Sequence, residues 1–206
     1  MTRCGPIRLC PPRRHPPGAP SLASVLLAAV ALGLAPGVAA QETPTAIEYQ
    51  VKAAFLYNFA KFVDWPPETF AREGAPFVIG VLSNEPFSEV LEQVVRGKTV
   101  NGRSFDVRRL RDPAGAAACQ MVFVGARETR LLAALLKAVR RTAVLTVGDG
   151  ESFTRQGGMM NFVVRDNRVR FEVNTDAAAR SGLSISSKLL QLATIVRDVR
   201  PAEDTR

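Results

Sequence analysis

The chain has 206 residues, 47% of them hydrophobic and 22% charged, which suits one globular domain and excludes a disordered or fibrous protein. A formal charge of +8 suggests nucleic acid until its origin is located. The first 40 residues hold Arg3, Arg8, Arg13 and Arg14, no acid, two of the three cysteines and the only histidine. Such a bias marks a targeting segment, so no nucleic-acid partner is expected.

Those arginines precede a nearly continuous apolar stretch from Leu22 to Leu34, which Pro36-Gly37 breaks before the small residues Val38-Ala39-Ala40. About 13 apolar residues suit a signal peptide, whereas a membrane span needs about 20. The expectation is cleavage after Ala40, export to the periplasm and no stable membrane insertion. Removing 40 of the 206 residues leaves 166, with 23 basic against 19 acidic side chains, no histidine and one cysteine, Cys119. That composition excludes Ser-His-Asp and Cys-His catalysis, histidine-based metal sites and an internal disulfide. The residual positive charge points to headgroups or an acidic partner surface.

In the mature chain, Thr45 and Glu48 fit a capping box. Ile47, Val51, Ala54, Phe55, Leu56, Phe59 and Phe62 then predict an amphipathic helix, ended by Asp64-Trp65-Pro66-Pro67. Phe77–Leu82 is an apolar run typical of a strand buried on both faces. Ser83-Asn84 and Pro86 open a second helix with Val90, Leu91, Val94 and Val95 inward. Gly97 and Gly102 flank a reversal, and Phe105, Val107 and Leu110 alternate with polar residues as in a half-exposed strand. Asp112-Pro113 begins a short alanine-rich turn or helix, and Cys119–Val124 reads as a second buried strand. Thr129–Arg141 predicts an amphipathic helix, and Ala143–Val147 a third buried strand. Met160–Val164, Asp166-Asn167 and Val169–Val173 then read as strand, turn, strand. A short helix capped at Asn174 or Thr175 runs to Arg180. The apolar positions Ile185, Leu189, Leu190 and Leu192–Val196 predict a final helix. The expected fold is a single α/β three-layer sandwich: a mainly parallel central sheet, a C-terminal β-hairpin and a final helix.

Chemistry-bearing motifs are few. Gly97-Lys98-Thr99 lacks the earlier glycine of a phosphate loop, with Glu92 in its place. Ser184 stands four residues before Lys188, one too many for a serine–lysine nucleophile. Ser184, Ser186 and Lys188 open a helix and suit an anion; the plainer reading is an N-cap serine with solvated neighbours. Phe59, Phe62 and Trp65 form an aromatic group that belongs either to the core or to a partner surface. Met160 and Asn161, after the Gly157-Gly158 pair, carry the same two readings. Arg103, Arg108, Arg109 and Arg111, and separately Arg165, Arg168 and Arg170, are solvated strand faces or contacts for an acidic partner.

Several segments resemble one family. They are Glu48-Tyr49 and Asn58-Phe59-Ala60-Lys61-Phe62-Val63-Asp64-Trp65-Pro66, the stretch from Gly97-Lys98 to Gly102-Arg103, and Cys119-Gln120-Met121-Val122-Phe123-Val124. Stronger still are Gly157-Gly158-Met159-Met160-Asn161-Phe162, Val169-Arg170-Phe171-Glu172-Val173-Asn174, and Gly182-Leu183-Ser184-Ile185-Ser186-Ser187-Lys188-Leu189-Leu190-Gln191-Leu192-Ala193. Over residues 47–198 the chain resembles the YfiR-like family of periplasmic proteins. The resemblance implies an α/β sandwich without enzymatic activity or cofactor. It implies a regulator that restrains an inner-membrane diguanylate cyclase through its periplasmic domain, and so affects cyclic di-GMP and biofilm formation. Phe59, Phe62, Trp65, Met160 and Asn161 are the expected partner contacts. The alternatives are a periplasmic anion receptor at Ser184, Ser186 and Lys188, or an accessory to a membrane sensor kinase. Disulfides tune the family's namesake; here Cys119 has no partner in the mature chain. A homodimer bridged through Cys119 stays open at this point.

Overall fold

The computed structural model describes residues 46–83 and 86–198. The expected leader and its cleavage point, Thr45 of the capping box and Asn84 of the second helix's cap lie outside them. Helix α1 (Ala46–Phe62) runs into β1 (Val63–Asp64), and Pro66 starts a 3-10 turn over Pro67–Thr69. Strand β2 (Phe77–Leu82) is buried at all six positions, and α2 (Phe87–Val95) buries Phe87, Leu91 and Val95. Strands β3 (Thr99–Val100) and β4 (Arg103–Arg109) follow, joined at Asn101 and Gly102, both with positive φ. The Asp112 carboxylate then accepts from the Ala114 N–H (2.8 Å) to cap a 3-10 stretch, Pro113–Ala118.

Next come β5 (Met121–Val124), α3 (Leu132–Ala138) and β6 (Leu145–Gly148). Helix α3 is shorter than the predicted Thr129–Arg141. Its first turn is 3-10 (Ala126–Leu131), where the Thr129 hydroxyl donates back to the Ala126 carbonyl (2.9 Å). At the far end Thr142 donates its amide and hydroxyl to the Val139 carbonyl. Such local hydroxyl bonds compete with a continuing helical ladder.

Strands β7 (Met160–Arg165) and β8 (Arg168–Asn174) form the expected hairpin. Asp166 (φ 52°) and Asn167 (φ 56°) both have positive φ, as a two-residue type I′ turn requires. The Asn174 side chain caps α4 (Thr175–Arg180). Strand β9 (Ser184–Ile185), α5 (Ser187–Leu190) and β10 (Thr194–Val196) complete the chain.

The predicted final helix is therefore overturned beyond one turn. After Leu190 the chain leaves the helix and adds β10 to the sheet, parallel to β8, with Ile195 beside Val173. Thr194-Ile195-Val196 are β-branched, and the open edge of β8 offers unpaired backbone groups that outweigh helical spacing.

The eight-stranded sheet has the order β10-β8-β7-β6-β5-β2-β4-β3; β1 and β9 form a separate antiparallel pair. Pairing is parallel except for β7–β8 and β3–β4. The three apolar runs named from the sequence, β2, β5 and β6, are interior neighbours. Residues on one face, including Phe77, Ile79, Phe123, Val147 and Phe162, pack under α1 and α2. Val78, Leu82, Val122, Val124 and Val144 pack on the other face under α3 and the alanine-rich turn. Phe59 lies over the hairpin, 5.8 Å from Phe162 and 5.1 Å from Phe171. The three-layer sandwich is thus built as expected.

Candidate functional site

The β1–β9 pair joins two sequence features that are about 120 residues apart. Val63 pairs with Ile185 and Asp64 with Ser184, and the Ser186 N–H donates to the Phe62 carbonyl (2.9 Å). Phe62 and Trp65 thereby sit at one corner with Ser184, Ser186 and Lys188. Phe62 and Trp65 are partly exposed, Ser184 and Lys188 exposed, and Ser186 intermediate. Lys61 reaches over this corner, with its ammonium 5.9 Å from the Phe62 ring centroid.

Trp65 is partly buried against the core. Its indole N–H donates to the Gln120 carbonyl (3.0 Å) and its ring meets Phe77 edge-on at 4.9 Å. Gln120 is itself an anchor. Its side-chain oxygen accepts from the Val78 N–H (2.8 Å), and its side-chain nitrogen donates to the Thr69 carbonyl (3.1 Å). One buried amide thus ties β2, β5 and the loop after Trp65 together.

The other expected contacts lie elsewhere. Phe59 and Met160 have no exposed surface, and Asn161 is only 2% exposed. The paired glycines serve close packing: a Cβ on Gly158 would lie 2.1 Å from the Phe153 ring, and one on Gly148 would lie 2.2 Å from it. Ser186 caps α5 by accepting from the Lys188 N–H (3.3 Å), but that helix has four residues and only a small dipole. Ser184, Ser186 and Lys188 do not line the cleft described next.

Beside this corner, at the N-terminal edge of the parallel strands, lies a cleft of about 810 Å³. Its floor includes Val78, Cys119 and Val144; its walls carry Arg108, Arg140, Arg141 and Arg180 against one carboxylate, Glu68. Burial pushes the Cys119 thiol above its ordinary pKa. It donates weakly to the Gly115 carbonyl at 3.7 Å. From the sequence Arg108 was either a solvated strand-face residue or a contact for an acidic partner, and nothing there joined it to Arg140, Arg141 and Arg180, which line the same cleft from other elements.

At the opposite edge the sequence reading also missed a buried ion network. The Lys52 ammonium lies 2.5 Å from Glu48 Oε1 and 2.6 Å from Asp149 Oδ2, with its side chain 2% exposed. The Glu48–Lys52 spacing of four residues was the available signal. Among the described residues no group of three or more metal-ligating side chains could hold an ion, and no helix is long and apolar enough to cross a membrane.

A crystal structure of a conserved domain protein from Vibrio cholerae O1 biovar El Tor str. N16961 is similar at 14% identity, with a TM-score of 0.43. The match covers 58% of this chain and 54% of that one, so this chain spans about half of that protein's length. The family model described as YfiR/HmsC-like matches residues 49–194, from the first turns of α1 to the start of β10. The chain belongs to the YfiR/HmsC-like family.

Proposed function

We propose that this protein is a non-enzymatic periplasmic regulator that binds and restrains the periplasmic domain of an inner-membrane diguanylate cyclase. The observation that carries the reading is membership of a family associated with periplasmic regulation of such cyclases. The basic, apolar, small-residue order of the first 40 residues supports export. The corner of Phe62 and Trp65, rimmed by Ser184, Ser186 and Lys188, is the proposed partner surface. It combines partly exposed aromatic rings with a polar border, the usual anatomy of a protein interface.

A photo-crosslinking residue at position 62, in cells, tests this. The expected product joins this protein to a membrane protein with a cytoplasmic cyclase domain, and deletion of the regulator raises cyclic di-GMP. Recovery of a sensor kinase instead would make the protein its accessory. No membrane product, together with unchanged cyclic di-GMP, would overturn the reading.

A further inference from the structure

The cleft at the N-terminal edge of the sheet is not accounted for by the aromatic corner. Its four guanidinium groups come from separate places: Arg108 from β4, Arg140 and Arg141 from the segment after α3, and Arg180 from the end of α4. Arg108 pairs with Asp106 at 2.7 Å and Arg180 pairs with Asp198, and both side chains remain about half exposed. Arg140 and Arg141 are exposed and have no acidic partner among the described residues. Glu68 is the carboxylate of the lining, and with Arg108 and Arg180 already paired to Asp106 and Asp198 the excess positive charge rests on Arg140 and Arg141. Like charges brought together by folding repel one another, and an anionic occupant relieves that repulsion.

The chemistry of the walls distinguishes between kinds of anion. A small-ligand site encloses its guest and fixes it with a few buried polar groups. Here the accessible lining between the arginines is apolar: Pro66, Pro76, Ala117, Ala118 and Ala143 lie over the buried Val78, Cys119 and Val144. Gln120 is the buried polar side chain of the lining, and both ends of its amide are already engaged. The charges stand at the rim, half in water. An apolar floor with a cationic rim suits a chain segment that lays apolar side chains inward and carboxylates outward.

We propose that this cleft docks an acidic, extended segment of a protein partner, with the Arg140 and Arg141 guanidiniums as its principal contacts. The inference rests on the regulator reading only in naming a partner protein; the cleft's preference for an acidic chain is testable without that partner. Arginine suits the role because its planar fork pairs with carboxylates bidentately. Rim charges of this kind accelerate encounter and weaken with salt.

The test uses the isotopically labelled mature protein titrated with two capped hexapeptides at low salt, one alternating glutamate with leucine and one alternating lysine with leucine. The expected result is amide shifts at Thr69, Cys119, Thr142 and Gly182 with the acidic peptide alone. Binding should weaken about tenfold in Arg140→Glu/Arg141→Glu, and fall again on raising salt beyond the screening range. Arg168→Glu, exposed at the start of β8 and outside the cleft's lining, should bind like the parent. Shifts absent from the cleft, or unchanged in the double variant, would overturn the proposal. So would saturation of the same amides by inorganic pyrophosphate where the peptide produces none, since that would mark a small-anion site. Crosslinking from position 62 that persists in the double variant, with peptide binding unaffected, would remove this inference and leave the regulator reading intact.

Discussion

Lys52 and Asp149 stand 97 residues apart in the chain and 2.6 Å apart in the fold. Together with Glu48 at 2.5 Å, they pin the first turns of α1 to the loop that ends β6. The ammonium is almost wholly removed from water, so its value depends on keeping both carboxylates as partners.

Removing the lysine should be far costlier than removing the network. Lys52→Ala leaves two carboxylates facing one another and is expected to cost about 3–5 kcal/mol in urea unfolding. The triple variant Glu48→Gln/Lys52→Met/Asp149→Asn should recover much of that loss. A Lys52→Ala protein within about 1 kcal/mol of the parent would show that the network is not buried in solution.

Gln120 should matter more than the tryptophan it supports. Trp65→Phe removes one donor, and the Gln120 carbonyl keeps the Leu145 N–H at 2.9 Å; the expected cost is about 1 kcal/mol. Gln120→Ala takes partners from both the Val78 N–H and the Thr69 carbonyl, each worth about 1–3 kcal/mol where no water replaces it. Thermal melts of the two variants side by side decide the order; a greater loss in Trp65→Phe would contradict it.

Asp198 gives stability an acid dependence. The Asn174 amide, and then the Arg180 guanidinium, hold its carboxyl below the ordinary aspartate range. A depressed folded value means that its contribution is fully present above the unfolded value of about 3.9 and is lost as pH falls through the lower folded value. The carboxylate is partly solvated, so Asp198→Asn should cost at most about 1 kcal/mol at pH 7. The gap between the two proteins should close as the solution is taken below the aspartate range. A gap that stays constant with pH would assign the effect to packing.

Redox conditions should leave the monomer untouched. Cys119 is 2% exposed, its thiol is disfavoured as thiolate by burial, and it is the single cysteine in the described residues. The unfolding temperature should be equal with and without reductant. Native alkylation should be slow, because the thiolate is the reactive form. Cys119→Ala should cost about 1 kcal/mol, the order of one buried methylene. A reductant-sensitive dimer on non-reducing electrophoresis, lost in Cys119→Ala, would mean that the strand edge opens enough to expose the sulfur.

Wherever burial follows a local period, the amino-acid sequence alone determined the structure. Phe77–Leu82 announced an interior strand because both of its faces are covered. Asp166-Asn167 announced a turn because these side chains tolerate positive φ. Leu189, Leu192 and Val196 have helical spacing, yet Val196 lies in a strand, because the vacant edge of β8 competes for that backbone and is invisible in the tail itself. Likewise nothing in the sequence joined Lys52 to Asp149, 97 residues away, and the choice between core and partner surface for Phe59 was decided only where the hairpin covers it. Arg108, Arg140, Arg141 and Arg180 show no common pattern in sequence. Periodicity reports which side of its own element a residue occupies, whereas a site is made where several elements end together, and only the order of strands in the sheet decides which ends meet.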